Sequence, residues 1–278
     1  MSLRAKRRTI KIICTIIMGA LSIAMILPFV WMLSASFKPD NQIFNFPIEW
    51  IPKEITWENY DKVWNSSVPF TTFVKNSLKV TLISVTGEVV TSALAAYAFS
   101  KIKFKGREVV FLIYLSTLAF PTQMMLIPRF VLFRELGLYN THLALILPGM
   151  FTAFGTFMLR SFFKSIPDEL CEAAKIDGAG HFRIFGQIVV PLAKPAFSAL
   201  IIFQFVSSWN EYESALVYIR EKALATIPLG LNFFRDENSV SYGAIMAASV
   251  CSLIPIFIVF LLFQKQFVAG IATSGMKE

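Results

Sequence analysis

The sequence predicts an all-α polytopic membrane protein with six transmembrane helices in one domain spanning residues 1–278. Three observations predict it. Hydrophobic residues make up 55% of the 278 and charged residues only 16%, against about 25% charged in soluble domains. The hydrophobic residues come in blocks long enough to cross ~30 Å of hydrocarbon. The basic residues, which leave a net charge of +8, flank those blocks. They form no interleaved basic and aromatic patch, so membrane orientation explains the charge better than a nucleic-acid partner does.

The elements follow in order. Arg4, Lys6, Arg7, Arg8 and Lys11 precede helix one, Ile10–Leu33. A secretory signal has the same polarity, but this apolar run is too long and no small-residue cleavage site follows it. Residues 34–75 form an outer polar loop whose Trp50, Trp57, Tyr60 and Trp64 suit either a membrane interface or a small cap. Helix two, Leu78–Phe99, carries Glu88, several Ser and Thr, and a stripe of Ala93, Ala95 and Ala96. Such residues suit close packing inside a bundle. Helix three, Val109–Phe133, contains Pro121 and Pro128, and helix four, Leu143–Phe163, has Pro148 and Gly149 near its start. Prolines in membrane helices are tolerated where neighbours re-satisfy the freed carbonyls, and simple kinking is favoured here over a hinge. Pro195 opens helix five, Phe197–Ile219; residues 220–241 form a second outer loop. Helix six, Ala244–Phe263, has Pro255 near its middle, and residues 264–278 form a tail. The helical core covers roughly residues 76–265.

Lys and Arg counts predict the orientation. With the N-terminus inside, sixteen of the 26 fall on inner segments and nine on outer ones, with Lys79 inside helix two. Both termini and the loop of residues 165–195 are therefore expected in the cytoplasm.

That loop is a polar, helix-forming island between two apolar segments. Pro167 suits a first helical turn, where its missing N–H costs little. Asp168 and Glu169 place negative charge at the positive helix end. Leu170, Ala173 and Ala174 share a face. Gly178 and Gly180 offer positive φ where the helix stops. A second amphipathic run follows, with Phe182, Phe185, Ile188 and Val189 as its apolar side, ended by Pro191. A small, smooth alanine face suits docking into another protein's cleft; resting on its own chain is the alternative.

The spacing Glu172-Ala173-Ala174, three residues, Gly178, nine residues, Ile188, one residue, Val190-Pro191 resembles the coupling loop of binding-protein-dependent ABC importers. The departure is Val190, where that family usually has Leu. The resemblance runs from about Leu27 to Lys277 and is closest to the second permease of the carbohydrate-uptake, maltose-transporter branch. It implies that the island is a coupling helix fitting a groove of an ATPase subunit. Glu172, Ala173, Ala174, Asp177, Gly178, Ala179, Phe182 and Pro191 would then serve that contact. It implies that the tail residues Gly275, Met276 and Lys277 run along the ATPase dimer. The loop around residues 225–230 would reach into an external binding protein. The implied partners are a sister permease, two ATPase subunits, a solute-binding protein and a carbohydrate, in a bacterial or archaeal inner membrane. ATP and Mg would be bound by the partner, with no cofactor in this chain.

The chain's own chemistry agrees. It has no Walker-type phosphate loop and no Ser/His/Asp constellation. Cys14, Cys171 and Cys251 lack paired spacing, which predicts neither a disulfide nor a metal site. His142 and His181 are isolated. Trp209-Asn210-Glu211-Tyr212-Glu213 interrupts helix five. An acidic side chain at mid-bilayer depth costs ~2.5–3.5 kcal/mol on insertion scales, so it is expected to face protein or water. Trp209, Asn210, Glu211 and Tyr212, with Glu88, are the candidates to line a solute path, because sugars are held by hydrogen bonds and aromatic stacking. Packing against a partner helix is the alternative for each. Rival readings are a permease of the same class for a glycerol phosphate diester or amino acid, and an ion-driven secondary transporter. The latter would need paired broken repeats and would leave the island unexplained.

Overall fold

A computed structural model describes residues 3–65, 69–234 and 240–274, with side chains placed for 8–65, 69–234 and 240–266. Its elements are helical throughout, with no β-strand among the described residues. Four helices are long and apolar enough to cross a membrane, and six spans result if each of two bent pairs counts as one. Contacts divide the chain into two compact units.

The first unit comprises Met1–Phe70 and Leu231–Leu253. Helix α1 (Leu3–Ser36) extends past the predicted Ile10–Leu33 at both ends. None of its apolar window is buried within the chain, as suits a helix whose solvent is lipid or another chain. The aromatic loop after it packs as a small cap. Phe37 packs edge-on against Trp57 at 5.1 Å and beside Tyr60 at 5.2 Å. Helix α2 (Glu58–Trp64) supplies Asn59, whose amide donates to the carbonyls of Ser36 at 3.0 Å and Lys38 at 2.7 Å. Those carbonyls lie at and just past the end of α1, where no intrahelical partner remains. The Lys38 ammonium is buried and donates to the Glu49 carbonyl. Asp40 accepts from the Gly243 amide at 2.6 Å and the Ser241 hydroxyl at 3.0 Å. It thereby caps the last long helix, whose first residues carry spare N–H groups.

The second unit comprises Thr71–Gly230 and Ile254–Glu278. Helix α3 (Phe70–Lys101) is unbroken over 32 residues, about 48 Å at 1.5 Å per residue. It begins eight residues before the predicted helix two. Helices α4 (Arg107–Ser116) and α5 (Leu126–Glu135) take the place of the predicted helix three, which was expected to kink at its prolines. The two limbs bend by 91°, more than the expected kink. The break falls at Pro121, while Pro128 sits in the first turn of α5, where its missing N–H is harmless. Predicted helix four is split into α6 (Leu143–Gly149) and α7 (Ala153–Ser165). The island forms α8 (Asp168–Ile176), α9 (His181–Ile184), a π-helical turn at Phe185–Val189, and α10 (Val190–Leu192). Helix α11 (Lys194–Trp209) follows a 78° bend, and α12 (Glu213–Tyr218) follows an irregular Asn210–Tyr212. Predicted helix five is therefore two pieces, broken at the polar segment. Helix α13 (Ile227–Gly230) lies within the predicted loop of residues 220–241, and α14 (Tyr242–Ser274) starts in the first unit and ends in the second. Helix α14 continues through most of what was expected to be a tail.

The core of the second unit joins small and bulky faces. Ala93, Ala96 and Tyr97 of α3 meet Leu159 and Phe163 of α7, Cys171 and Ile184 of the island, and Ala196 and Leu200 of α11. Gly155 permits the close approach of α7 to α3. A Cβ there would lie 2.6 Å from both Glu88 Oε1 and Ser92 Oγ.

Candidate functional site

Two places in the second unit combine exposed or cleft-facing polar chemistry with unusual backbone. The first is the island. Helix α8 carries Asp168 and Glu169 in its first turn. Asp168 Oδ1 accepts from Lys101 Nζ at 2.6 Å, and that hydrogen bond holds its carboxyl below the usual range. The helix stops in a Schellman motif. Ala179 N–H bonds the Ala174 carbonyl at 2.9 Å, and Gly178 N–H bonds that of Lys175 at 3.0 Å, with Gly178 at φ +81°. Gly178 therefore needs the left-handed region. Gly180, at φ −74°, does not, which corrects the expectation for that residue.

Cys171, Ala174 and Ala179 turn toward the core. Glu172, Ala173 and Asp177 face outward, as do Leu170 and Ile176, the latter 87% exposed. Phe182 was expected on the apolar side of the second run. It is instead 86% exposed, and Ile184 takes the inward position beside Phe185, Ile188 and Val189. Phe182 lies in the short α9, directly after the break at Gly180 and ahead of the π-helical turn. Pro191 lies exposed in α10. The island thus presents Leu170, Ala173, Ile176 and Phe182 outward around a sharp glycine turn. Gly275, Met276 and Lys277 lie outside the described residues.

The second place is a cleft of about 280 Å³. Three helix breaks converge on it. Thr122 and Leu126 come from the bend of α4 and α5, Pro148, Gly149 and Thr152 from the split of α6 and α7, and Ser207, Ser208, Glu211, Glu213 and Ser214 from the break between α11 and α12. Non-helical backbone at membrane depth persists where it is buried in protein or lines a wet cavity. Neighbouring side chains satisfy the freed groups. Gln204 Nε2 donates to the Gly149 carbonyl at 2.9 Å, and Thr91 Oγ1 to that of Met150 at 2.6 Å. Thr152 Oγ1 accepts from Gly155 N at 3.1 Å as the N-cap of α7, and donates to Glu88.

The five candidate path residues are placed unequally. Glu211 lines the cleft, and its Oε1 also accepts from Ser214 N at 2.7 Å, capping α12. Glu88 is 1% exposed and stands behind the wall, holding Thr152. Trp209 is 2% exposed and stacked on Phe205 at 5.4 Å. Asn210 donates back to the Val206 carbonyl at 2.9 Å, and neither it nor Tyr212 lines the cleft. Neither Glu88 nor Trp209 lines the cleft. The lining holds Arg129, Gln204, Glu211, Glu213 and six hydroxyl residues, with no aromatic ring. Arg129 has no ion-pair partner among the described residues. Sequence reading counted Arg129 only as an outer charge and passed over Gln204, although a lone Gln in the run Ile201–Val206 was the available signal. Among the described residues, no three of His, Cys, Asp and Glu gather as metal ligands.

The sequence profile of the binding-protein-dependent transport system inner membrane component family matches residues 88–273. The chain belongs to that family. It is 37% identical over 261 residues to a probable ABC transporter permease protein, YurM, of Bacillus subtilis, covering 92% of this chain and 85% of that one. It is 31% identical over 277 residues to the arabinooligosaccharides transport system permease protein AraQ of Halalkalibacterium halodurans, covering 98% and 99%. A solved bacterial ABC transporter involved in the import of the acidic polysaccharide alginate matches with TM-score 0.82 at 27% identity, covering 96% of this chain and 99% of that chain. The protein is a multi-pass transport subunit of the inner-membrane permease type.

Proposed function

We propose that this permease is one half of a heterodimeric, binding-protein-dependent importer for an oligosaccharide. ATP hydrolysis in two partner ATPase subunits would drive it, with ATP and Mg held by those partners. The observation that carries the reading is the convergence of three helix breaks on one polar cleft. Six hydroxyl residues, Gln204, and charges of both signs suit a solute rich in hydroxyl groups. The names of the relatives, an arabinooligosaccharide permease and an alginate importer, point the same way. The cleft offers no aromatic ring, so stacking on sugar faces falls to the sister permease.

The island is the ATPase-docking element. Its exposed Ala173, Ile176 and Phe182 provide the apolar contact, and Gly178 the close approach. Basic residues then orient both termini and the island to the cytoplasm. Binding of ATP closes the ATPase pair, moves the islands, and switches the permeases between outward- and inward-facing states. The test is purification in mild detergent followed by uptake in proteoliposomes. Co-purification of an ATPase subunit and ATP-dependent uptake of a sugar that raises the melting temperature of the cognate binding protein are expected. Ion-driven uptake without an ATPase would overturn the reading.

A further inference from the structure

The island is covalently continuous with α7 before it and α11 after it, so movement of those helices needs no special device. Helix α3 is different. It is far from the island in sequence, yet its last turns hold the island at two points, the start of α8 and the start of α9, by directional bonds. At the first point, Lys101 Nζ donates to the Ile166 carbonyl and to Asp168 Oδ1, each at 2.6 Å. The Lys101 side chain is only 4% exposed. At the second point, the Tyr97 hydroxyl lies 3.2 Å from His181 Nδ1, and its ring packs edge-on against Phe185 at 5.2 Å. Tyr97 is 6% exposed.

Beside these two points the island packs into the core with α3 through Cys171, Ala174 and Ile184, in one cluster with Ala93 and Ala96. Smooth apolar faces resist separation but do little to fix register, whereas hydrogen bonds with strict distance and angle do. The far part of α3 reaches the cleft. Val80 lines it, Thr81 lies 3.4 Å from the cleft residue Ser208, and Glu88 holds Thr152 of the wall. No break interrupts α3 between Val80 and Lys101.

We propose that Tyr97 and Lys101 are positioning residues that clasp the island to α3, so that a displacement of the island is delivered through α3 to the cleft wall. This rests on the island being the ATPase-docking element. The clasp stays closed through the transport cycle, and α3 moves with the island as one body.

The test uses the assembled importer in nanodiscs and proteoliposomes, with its sister permease, ATPase and binding protein. Tyr97→Phe keeps the ring against Phe185 and removes only the hydroxyl; Lys101→Met keeps the stem and removes the ammonium. The paired variant is expected to retain its ATPase and its binding-protein-stimulated hydrolysis, while uptake per ATP hydrolysed falls at least about fivefold, the weight of one hydrogen bond. Unchanged uptake per ATP overturns the proposal. So does loss of the ATPase, which would make the clasp an assembly contact.

A second arm places Tyr97→Cys and His181→Cys in a chain whose native cysteines are replaced, joined by a short bismaleimide. Uptake is expected to survive the cross-link. Abolished uptake, with the unlinked variant active, would mean that the island slides along α3. Gly178→Asp separates the two readings. If it keeps the ATPase and uptake, the docking reading fails. If only the α3 variants are silent, that reading stands and this one falls.

Discussion

Arg160 of α7 donates from one nitrogen to both carboxylate oxygens of Glu108 of α4, at 2.7 and 2.6 Å. The guanidinium also lies 3.8 Å over the Phe111 ring, and its Nε donates to the Phe99 carbonyl at 3.0 Å. The pair is lopsided: the Arg160 side chain is 9% exposed and that of Glu108 53%. Glu108→Ala therefore strands a buried cation, whereas Arg160→Met frees a carboxylate that water can reach. Glu108→Ala is expected to destabilise the permease more, because a buried charged donor left unpaired costs more than an exposed acceptor, read as a lower midpoint of thermal unfolding in detergent. Equal or reversed effects would show that the bond to Phe99 and the Phe111 contact already satisfy the guanidinium.

At Gly178 two penalties separate. The φ of +81° makes any L side chain strained, by roughly 1–2 kcal/mol. Among the described residues a Cβ there meets nothing within 4 Å. Gly178→Ala and Gly178→Asp should thus lower the stability of the isolated permease to a similar, modest degree. With partners present they should diverge: Asp loses the ATPase and uptake, and Ala keeps most of both. Equal ATPase retention by the two variants would remove the groove contact.

Glu211 has two jobs, lining the cleft and capping α12 through Ser214 N. Glu211→Gln keeps a carbonyl oxygen for the cap and removes the charge. It should alter solute preference or uptake with assembly intact. Gln204→Leu instead frees the half-buried Gly149 carbonyl at the split of α6 and α7 and should lower assembly. Normal uptake and specificity in Glu211→Gln would take Glu211 off the path.

Orientation is testable with thiol labelling, but not at Cys171, which is only 6% exposed. Lys175 is exposed on α8. With the native cysteines replaced, Lys175→Cys should react with an impermeant maleimide in inside-out vesicles and not in intact cells. Labelling of intact cells would reverse the topology.

Much of the island was legible because its signals are local. Pro167, the acidic first turn and Gly178 each act on backbone within a few residues, and the helix and its Schellman stop follow from them. The orientation expectation likewise needs only counts of charge. At Phe182 the structure differs from the apolar pattern, because which residues of the short α9 turn inward depends on how that helix docks after the Gly180 break.

The cleft was only half legible. The polar segment at Asn210–Glu213 marked a break correctly, as Pro121 and Pro148 did. Nothing in a one-dimensional pattern says that three breaks meet, or which polar side chain reaches the space between them. Composition, block length and motif spacing by themselves determined that this is a helical membrane permease with an exposed island, because apolar length and backbone propensity are properties of short segments. Only the tertiary structure decided that Glu211, Gln204 and Arg129 share a cleft while Trp209 and Glu88 stand behind it. It alone brought Tyr97 and Lys101 to the island. Those pairings join residues tens of positions apart, and their geometry is set by how helices pack, not by the residues on either side.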